Sequence, residues 1–287
     1  MNTAYHPGSL AVQERVGVRD LADRIGRSLT PGIRPVAAAF LEAQPMLVLG
    51  AADAEGRVWS RLLTGPPGFV RAVGPHAVSV AAALPAGLPE GAPVGTLALD
   101  PRTRRRMRLN GTARTSSRGF TVEAEQVFSN CPKYLQKREW YGSESPGPEA
   151  GAVRRGEALT SEQTRRIRAA DTFFVSTTAP DGVDTSHRGG NPGFVRVDGP
   201  RELGWRDYPG NAMFLTLGNL ESDGRAGLLF LDWSTGWTLR VSGRAHTEYG
   251  AEGRFTRLRV DHTVEDPAGS PLRWSAPAYS PANPAVS

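Results

Sequence analysis

Val94-Gly-Thr-Leu-Ala-Leu-Asp100, followed by Met107-Arg-Leu-Asn-Gly-Thr-Ala113, is answered later in the chain by Ala226-Gly-Leu-Leu-Phe-Leu-Asp232 and Leu239-Arg-Val-Ser-Gly-Arg-Ala245. Gly95 and Gly227, Asp100 and Asp232, Arg108 and Arg240, and Gly111 and Gly243 all stand 132 residues apart, so the match needs no gap. Upstream, Gly56, Ser60 and Pro67-Gly-Phe-Val-Arg71 answer Gly182, Ser186 and Pro192-Gly-Phe-Val-Arg196, with the spacing falling from 126 to 125 through one extra residue in the first stretch. Ordered matches over most of a domain's length imply two copies of one fold. The 287 residues suit two domains, each long enough to bury its own core.

Outward from these stretches the chain reads as short β-rich runs broken by Gly and Pro. In the first copy they fall at 46–51, 57–63, 68–72, 77–82, 94–99, 106–115 and 120–127, and in the second at 172–178, 183–187, 193–197, 202–206, 225–231 and 237–247. Frequent turn signals between short strands predict an antiparallel barrel or sandwich. Asp53-Ala-Glu-Gly56 and Ala179-Pro-Asp-Gly182 read as matching hairpin turns.

Helical spacing of Val16, Leu21, Ile25 and Leu29 predicts a helix over 12–29, and Pro35 opens a second one to about Gln44. Both are expected as a leader on the first barrel. Thr160 and Gln163 have capping-box spacing ahead of a helix over 161–170, and a short helix is expected over 212–220. The predicted organisation is a leader and first domain over 1–140, a Pro/Gly-rich linker over 141–158, and a second domain over 159–287. Its tail after Asp266 should lie extended over the surface, with Trp274 and Tyr279 as docking points.

Charged residues make up 22% and apolar ones 39%, values ordinary for a globular chain and wrong for a disordered one. No apolar run is long enough to span a bilayer and no secretory signal opens the chain, which makes a cytoplasmic location the expectation, with no membrane partner. The single cysteine, Cys131, rules out an intrachain disulfide, and five scattered histidines lack metal-ligand spacing. A net charge of +5 and a pI near 9.8 come mainly from arginine, suited to phosphate or carboxylate. Nucleic acid is not an expected partner, since no reading helix or aromatic-basic motif accompanies the charge.

Thr185-Ser-His-Arg-Gly-Gly-Asn-Pro-Gly-Phe-Val195, with Tyr208-Pro-Gly-Asn211 shortly after, holds the densest set of ligand-binding residue types. Its glycines, Gly189 and Gly190 among them, let backbone approach a ligand. Ser186 and Arg188 offer phosphate-binding groups, and Gly210 and Asn211 would present amides at a helix start. Such residues describe an anion site, although the same glycines would equally serve a tight hairpin. His187 is the candidate for proton transfer or substrate orientation, because imidazole can titrate near neutral pH. Strand alternation would send Arg104 and Arg106 to one side and Arg105 to the other, toward a ligand or a solvated edge. Trp205, Trp233 and Trp237 could fill a core or stack on a cofactor, with Trp237 preferred for the latter.

The run from Ser186 through Gly193-Phe-Val195, the Pro209-Gly-Asn211 segment, Gly227-Leu-Leu-Phe-Leu231 and Thr238-Leu-Arg-Val-Ser-Gly-Arg-Ala245 resembles the pyridoxamine 5′-phosphate oxidase-like flavin-nucleotide-binding family. The resemblance covers about 160–280 well and 40–140 through the internal repeat. Trp59-Ser-Arg-Leu-Leu-Thr-Gly-Pro-Pro-Gly-Phe-Val70, Arg104-Arg-Arg-Met-Arg108 and Asn130-Cys-Pro-Lys-Tyr134 look similar to its two-barrel branch. It implies a mainly β fold with short helices: tandem six-stranded antiparallel split β-barrels forming a pseudo-dimer, within a monomer or a homodimer, with FMN between the barrels. Ser186, His187, Arg188, Gly189 and Gly190 would then lie along the flavin, Gly210 and Asn211 would hold its phosphate, and Lys133 and Tyr134 would wall the site. FAD and haem are the alternative cofactors.

The oxidases carry an Arg-Lys pair where this chain has Ala212-Met-Phe-Leu215, which argues against vitamin B6 oxidation. The expected activity is flavin-dependent oxidation or reduction of a small organic substrate, with oxygen or a nicotinamide nucleotide as redox partner. The alternatives are haem binding or breakdown and a non-catalytic flavin-binding module. Divergence between the copies is expected to leave one productive site.

Overall fold

The computed structural model describes residues 5–144, 151–180 and 182–286; the middle of the expected linker and Asp181 of the second expected turn lie outside them. Three helices lead, α1 Pro7–Val16, α2 Arg19–Gly26 and α3 Pro35–Glu42. Seven strands follow: β1 Met46–Ala52, β2 Val58–Thr64, β3 Val70–Gly74, β4 Ala77–Val80, β5 Pro93–Asp100, β6 Arg105–Ser116 and β7 Gly119–Ser129. After β8 Trp140–Ser143, β9 Arg154–Gly156 and α4 Ser161–Ala169 come β10 Thr172–Ala179, β11 Gly182–Gly189, β12 Val195–Gly199 and β13 Glu202–Arg206. The chain continues with α5 Leu215–Ser222, β14 Arg225–Leu231, β15 Thr238–Gly250, β16 Gly253–Asp266 and β17 Leu272–Trp274.

The protein is mainly β with five short helices among the described residues. One sheet runs β2-β1-β5-β6-β7-β4-β3 and the other β11-β10-β14-β15-β16-β13-β12, with β9 added on β16, so the same antiparallel order occurs twice. The halves also share a defect. The β6–β7 register slips at Asn110/Gly111 and the β15–β16 register at Ser242/Gly243, and a Cβ on either glycine would sit 1.9 Å from a carbonyl oxygen across the bulge. The sheets hold seven and eight strands rather than six each. Part of the excess is β16, absent from the sequence reading although Thr256, Leu258 and Val260 are buried between the less buried Arg257 and Arg259.

Alternation also explains why the central strands read as unbroken apolar runs. In β1, Leu47 and Leu49 enter the core of the first sheet, while Met46 and Val48 enter a separate cluster shared with the second half. In β14, Ala226, Leu228 and Phe230 fill the second core, while Leu229 and Leu231 join that shared cluster. A strand covered on both faces has no polar side to show.

The halves approach closely at glycines. A Cβ on Gly95 would lie 2.7 Å from the amide of Thr185 on β11, and one on Gly227 would lie 2.5 Å from the carbonyl of Val58 on β2. Hydroxyls complete the seam: Ser60 donates to the carbonyl of Gly227 at 2.8 Å, and Thr185 to that of Gly95 at 2.8 Å.

Three expectations change. The helix over 12–29 is two helices, because Gly17 at φ 72° closes α1, and Leu21 is 44% exposed. That leader also rests on the second half: Gln13 donates to the carbonyl of Met213 at 2.9 Å, and Gly8 crosses Gly218 where a Cβ would be 2.2 Å from its oxygen. The linker and tail are knit together, since β8 pairs with β17 and β9 with β16. Trp274 is buried against Trp233, whereas Tyr279 is exposed.

Candidate functional site

β6 from the first half and β11 from the second lie side by side across the seam, and their ends open into a cleft of about 820 Å³, mouth included. Arg106 and Arg108, two residues apart on β6, contribute to one wall with Asn130, Cys131, Lys133 and Tyr134 behind them. His187, Arg188 and Gly189 at the end of β11 contribute to the opposite wall. The segment from Arg206 to Leu217, including Gly210 and Asn211, closes it.

The arginines are held in a network that leaves part of their hydrogen-bonding capacity unused. Arg108 is a buried ion-pair partner of Asp184, with Nη1 at 2.9 and 3.1 Å from the carboxylate oxygens, and its Nη2 donates to Ser186 Oγ at 2.7 Å. Arg188 also donates to Ser186 Oγ and pairs with Asp207 at 3.5 Å. Arg106 donates through Nη1 to His187 Nδ1 at 2.6 Å and through Nη2 to the carbonyl of Cys131 at 2.7 Å. The Nε atoms of Arg106, Arg108 and Arg188, together with His187 Nε2, are buried without a partner. Orphaned buried donors are uncommon, and four on the walls of one cleft mark a place where acceptors are missing.

Electrostatics point the same way. Burial, then the neighbouring Arg108 and Arg188, pull the pKa of Arg106 down to about 9. A guanidinium still keeps its proton at neutral pH. Burial also lowers Arg188, with Asp207 opposing that shift. For His187, burial and then Arg106, Arg188 and Arg108 hold the pKa well below the usual 6.5. Since Nδ1 accepts from an arginine, the neutral ring carries its proton on Nε2. This setting runs against the expectation that His187 titrates near neutral pH and favours the neutral ring with Nε2 as donor.

Backbone strain gathers at the same cleft. Tyr134, Ala212 and Phe214 have φ of 64°, 59° and 55°, and all three line it. Such conformations cost about 1–3 kcal/mol each and persist where surroundings enforce them. Gly189 allows the close approach of the Tyr134 segment, since a Cβ there would meet the Tyr134 carbonyl at 2.0 Å. Positive φ at Ala212 and Phe214 also delays α5 to Leu215, later than the expected 212. Its N-cap, Phe214, makes no side-chain capping bond, and Leu215, Thr216 and Leu217 of the first turn line the cleft. An uncapped helix start presents free amides and a partial positive charge.

Of the residues expected at the site, the structure brings Arg106, Lys133, Tyr134, His187, Arg188, Gly189, Gly210 and Asn211 into this cleft. Ser186 is fully buried beneath it and serves as acceptor for two arginines. Gly190 does not line it; its amide donates to the carbonyl of Asp171 at 3.1 Å. Arg104, at φ 54° just before β6, escapes strand alternation and instead donates to the carbonyls of Leu135, Ala278 and Tyr279, binding the tail. Trp237 is buried in the second core, its Nε1 donating to Glu265 at 2.7 Å. Arg108, Arg206 and Asp207 were not among the expected site residues. Arg108 was legible, two positions beyond Arg106 and so on the same strand face.

No protein-family model matches this chain, and no curated protein does. Solved structures do. HupZ of Group A Streptococcus is 16% identical, the match covering 39% of this chain and 98% of that one at a TM-score of 0.32. A candidate pyridoxamine 5′-phosphate oxidase of Lactobacillus delbrueckii is 17% identical over 37% of this chain and 93% of that one, with a TM-score of 0.30. An FAD-binding protein of Mycobacterium smegmatis is 12% identical over 38% and 96%, at 0.28. A candidate pyridoxamine 5′-phosphate oxidase of Corynebacterium glutamicum is 12% identical over 42% of this chain and 97% of that one, at 0.30.

Proposed function

We propose that the chain is an internally duplicated flavoprotein, two split barrels docked as a pseudo-dimer that hold FMN in the cleft between β6 and β11. The observation that carries this reading is the set of unpartnered donors on Arg106, Arg108, Arg188 and His187, beside the uncapped start of α5. A phosphate monoester carries about −1.5 to −2 charge at neutral pH and three acceptor oxygens, the complement of such a wall. Tyr134, Tyr208 and Phe194 supply the apolar surface that a planar ring requires.

When bound, the flavin supplies hydride acceptance and donation. The residues of this chain bind and orient. Arg106 fixes the His187 ring, so His187 offers Nε2–H to an acceptor on the ligand and does not carry protons. That tautomer also disfavours His187 as an axial ligand of haem, because the nitrogen facing a metal would bear hydrogen. Ala212-Met-Phe-Leu215, in place of the oxidases' Arg-Lys pair, shapes the entry to α5 and leaves the cations to come from β6 and β11. This favours a small organic substrate other than a vitamin B6 phosphate, with oxygen or a nicotinamide nucleotide as redox partner.

The test is the visible spectrum of the purified protein, with mass spectrometry of any ligand released on denaturation. Flavin absorption and the mass of FMN are expected. A Soret band, or a colourless protein that takes up no added FMN, would overturn the reading.

A further inference from the structure

The repeat that sets β6 against β11 also sets β15 against β2. On these strands Arg240 occupies the position of Arg108, and Arg61 that of His187. They line a second cleft, about 1590 Å³ with its mouth, together with Trp59, Arg155, His262, Asp266 and others. Among the described residues the Arg240 side chain makes no hydrogen bond or ion pair, and its guanidinium carbon lies 6.0 Å from the centroid of the Trp59 ring. Arg61 donates to the carbonyl of Ala86 at 3.2 Å, and its Nε is buried without a partner. The nearby acids Asp53 and Glu55 are already paired with Arg57, and Asp266, on the same lining, accepts from the amide of Ala268 at 3.0 Å.

We propose that this second cleft is a binding site for an oxyanion, the phosphate or carboxylate of a small organic molecule, clamped by Arg61 and Arg240 beside Trp59. Burial lowers the proton affinity of both arginines; Arg240 then lowers that of Arg61 and Arg155 that of Arg240, with Asp53 and Asp266 acting against these, and an anion would relieve the remaining repulsion. The site is not a second copy of the first. Where the first cleft has the start of α5, the second is walled by the helix-free 83–87 segment, so it lacks that helix start. The proposal does not depend on flavin occupying the first cleft.

The experiment is isothermal titration calorimetry of the full chain with inorganic pyrophosphate and, separately, citrate. At least one probe is expected to fill a class of site that Arg188→Gln leaves intact and that Arg240→Gln weakens by about tenfold or more, the loss of a charge-assisted contact. The responding probe distinguishes phosphate from carboxylate. Arg61→Gln is a second variant with the same expected loss, should Arg240→Gln unfold. An isotherm unchanged in both second-cleft variants, or no class of site that Arg188→Gln leaves intact, would overturn the proposal.

Discussion

Arg106 Nη1 lies 2.6 Å from His187 Nδ1, a guanidinium donating to a buried imidazole. Burial, and then this arginine with Arg188 and Arg108, favour neutral His187 and penalise its protonation, so the folded pKa falls well below the unfolded value near 6.5. Below that pH the unfolded chain takes up a proton that the folded one refuses, and stability drops; above it the penalty vanishes. Urea melts of ligand-free protein should lose stability as pH falls from 7 to 5. His187→Asn, which keeps an acceptor for Arg106 without the titration, should flatten that slope. An identical slope in the variant would assign it to other groups.

Arg188→Ala removes a guanidinium from the cleft and leaves Asp207 its partner Arg254, at 2.9 Å. Flavin should therefore be held about 10- to 100-fold more weakly with little change in melting temperature. Fluorescence titration of the ligand-free protein with FMN measures this, and unchanged affinity would remove Arg188 from the site.

Asp184 accepts from Arg108 and Asn110 beneath the cleft, with 3% of its surface exposed. Asp184→Ala leaves a buried guanidinium without its counter-charge, and the loss should be about 3–5 kcal/mol. Denaturant unfolding checks it; a loss within ordinary surface values would mean that water reaches Arg108.

The seam glycines give a contrast within one residue type. Gly95→Ala and Gly227→Ala place a methyl group against backbone of the other half, whereas Gly74→Ala meets nothing within 4 Å. Thermal melts should fall sharply for the first two and scarcely move for the third. Equal effects would show that the halves can separate at little cost.

Much of the fold was legible because the repeat fell on residues with fixed geometric duties. Gly95 and Gly227 sit at the crossing, and Gly111 and Gly243 at the bulges, positions where a side chain collides with backbone. The site was legible where chemistry and strand position coincided, as at Arg188 and Arg106. It was lost where backbone conformation intervened: positive φ at Arg104 turned that side chain toward the tail, and positive φ at Ala212 and Phe214 moved the helix start. Neither leaves a mark in residues that ordinarily avoid this region. The low pKa of His187 was hidden too, since it arises first from burial and then from three arginines that converge on the ring only in the fold.

The two-faced strands carry a consequence for synthesis. β1 and β5 are translated long before β10 and β14, yet Met46, Val48, Leu97 and Leu99 belong to a cluster completed by Phe174, Leu229 and Leu231. A ribosome paused once β7 has emerged would hold a half whose sheet is paired and whose outer face is bare. This nascent half must be shielded until its counterpart emerges, or it will find the same face on a neighbouring polysome.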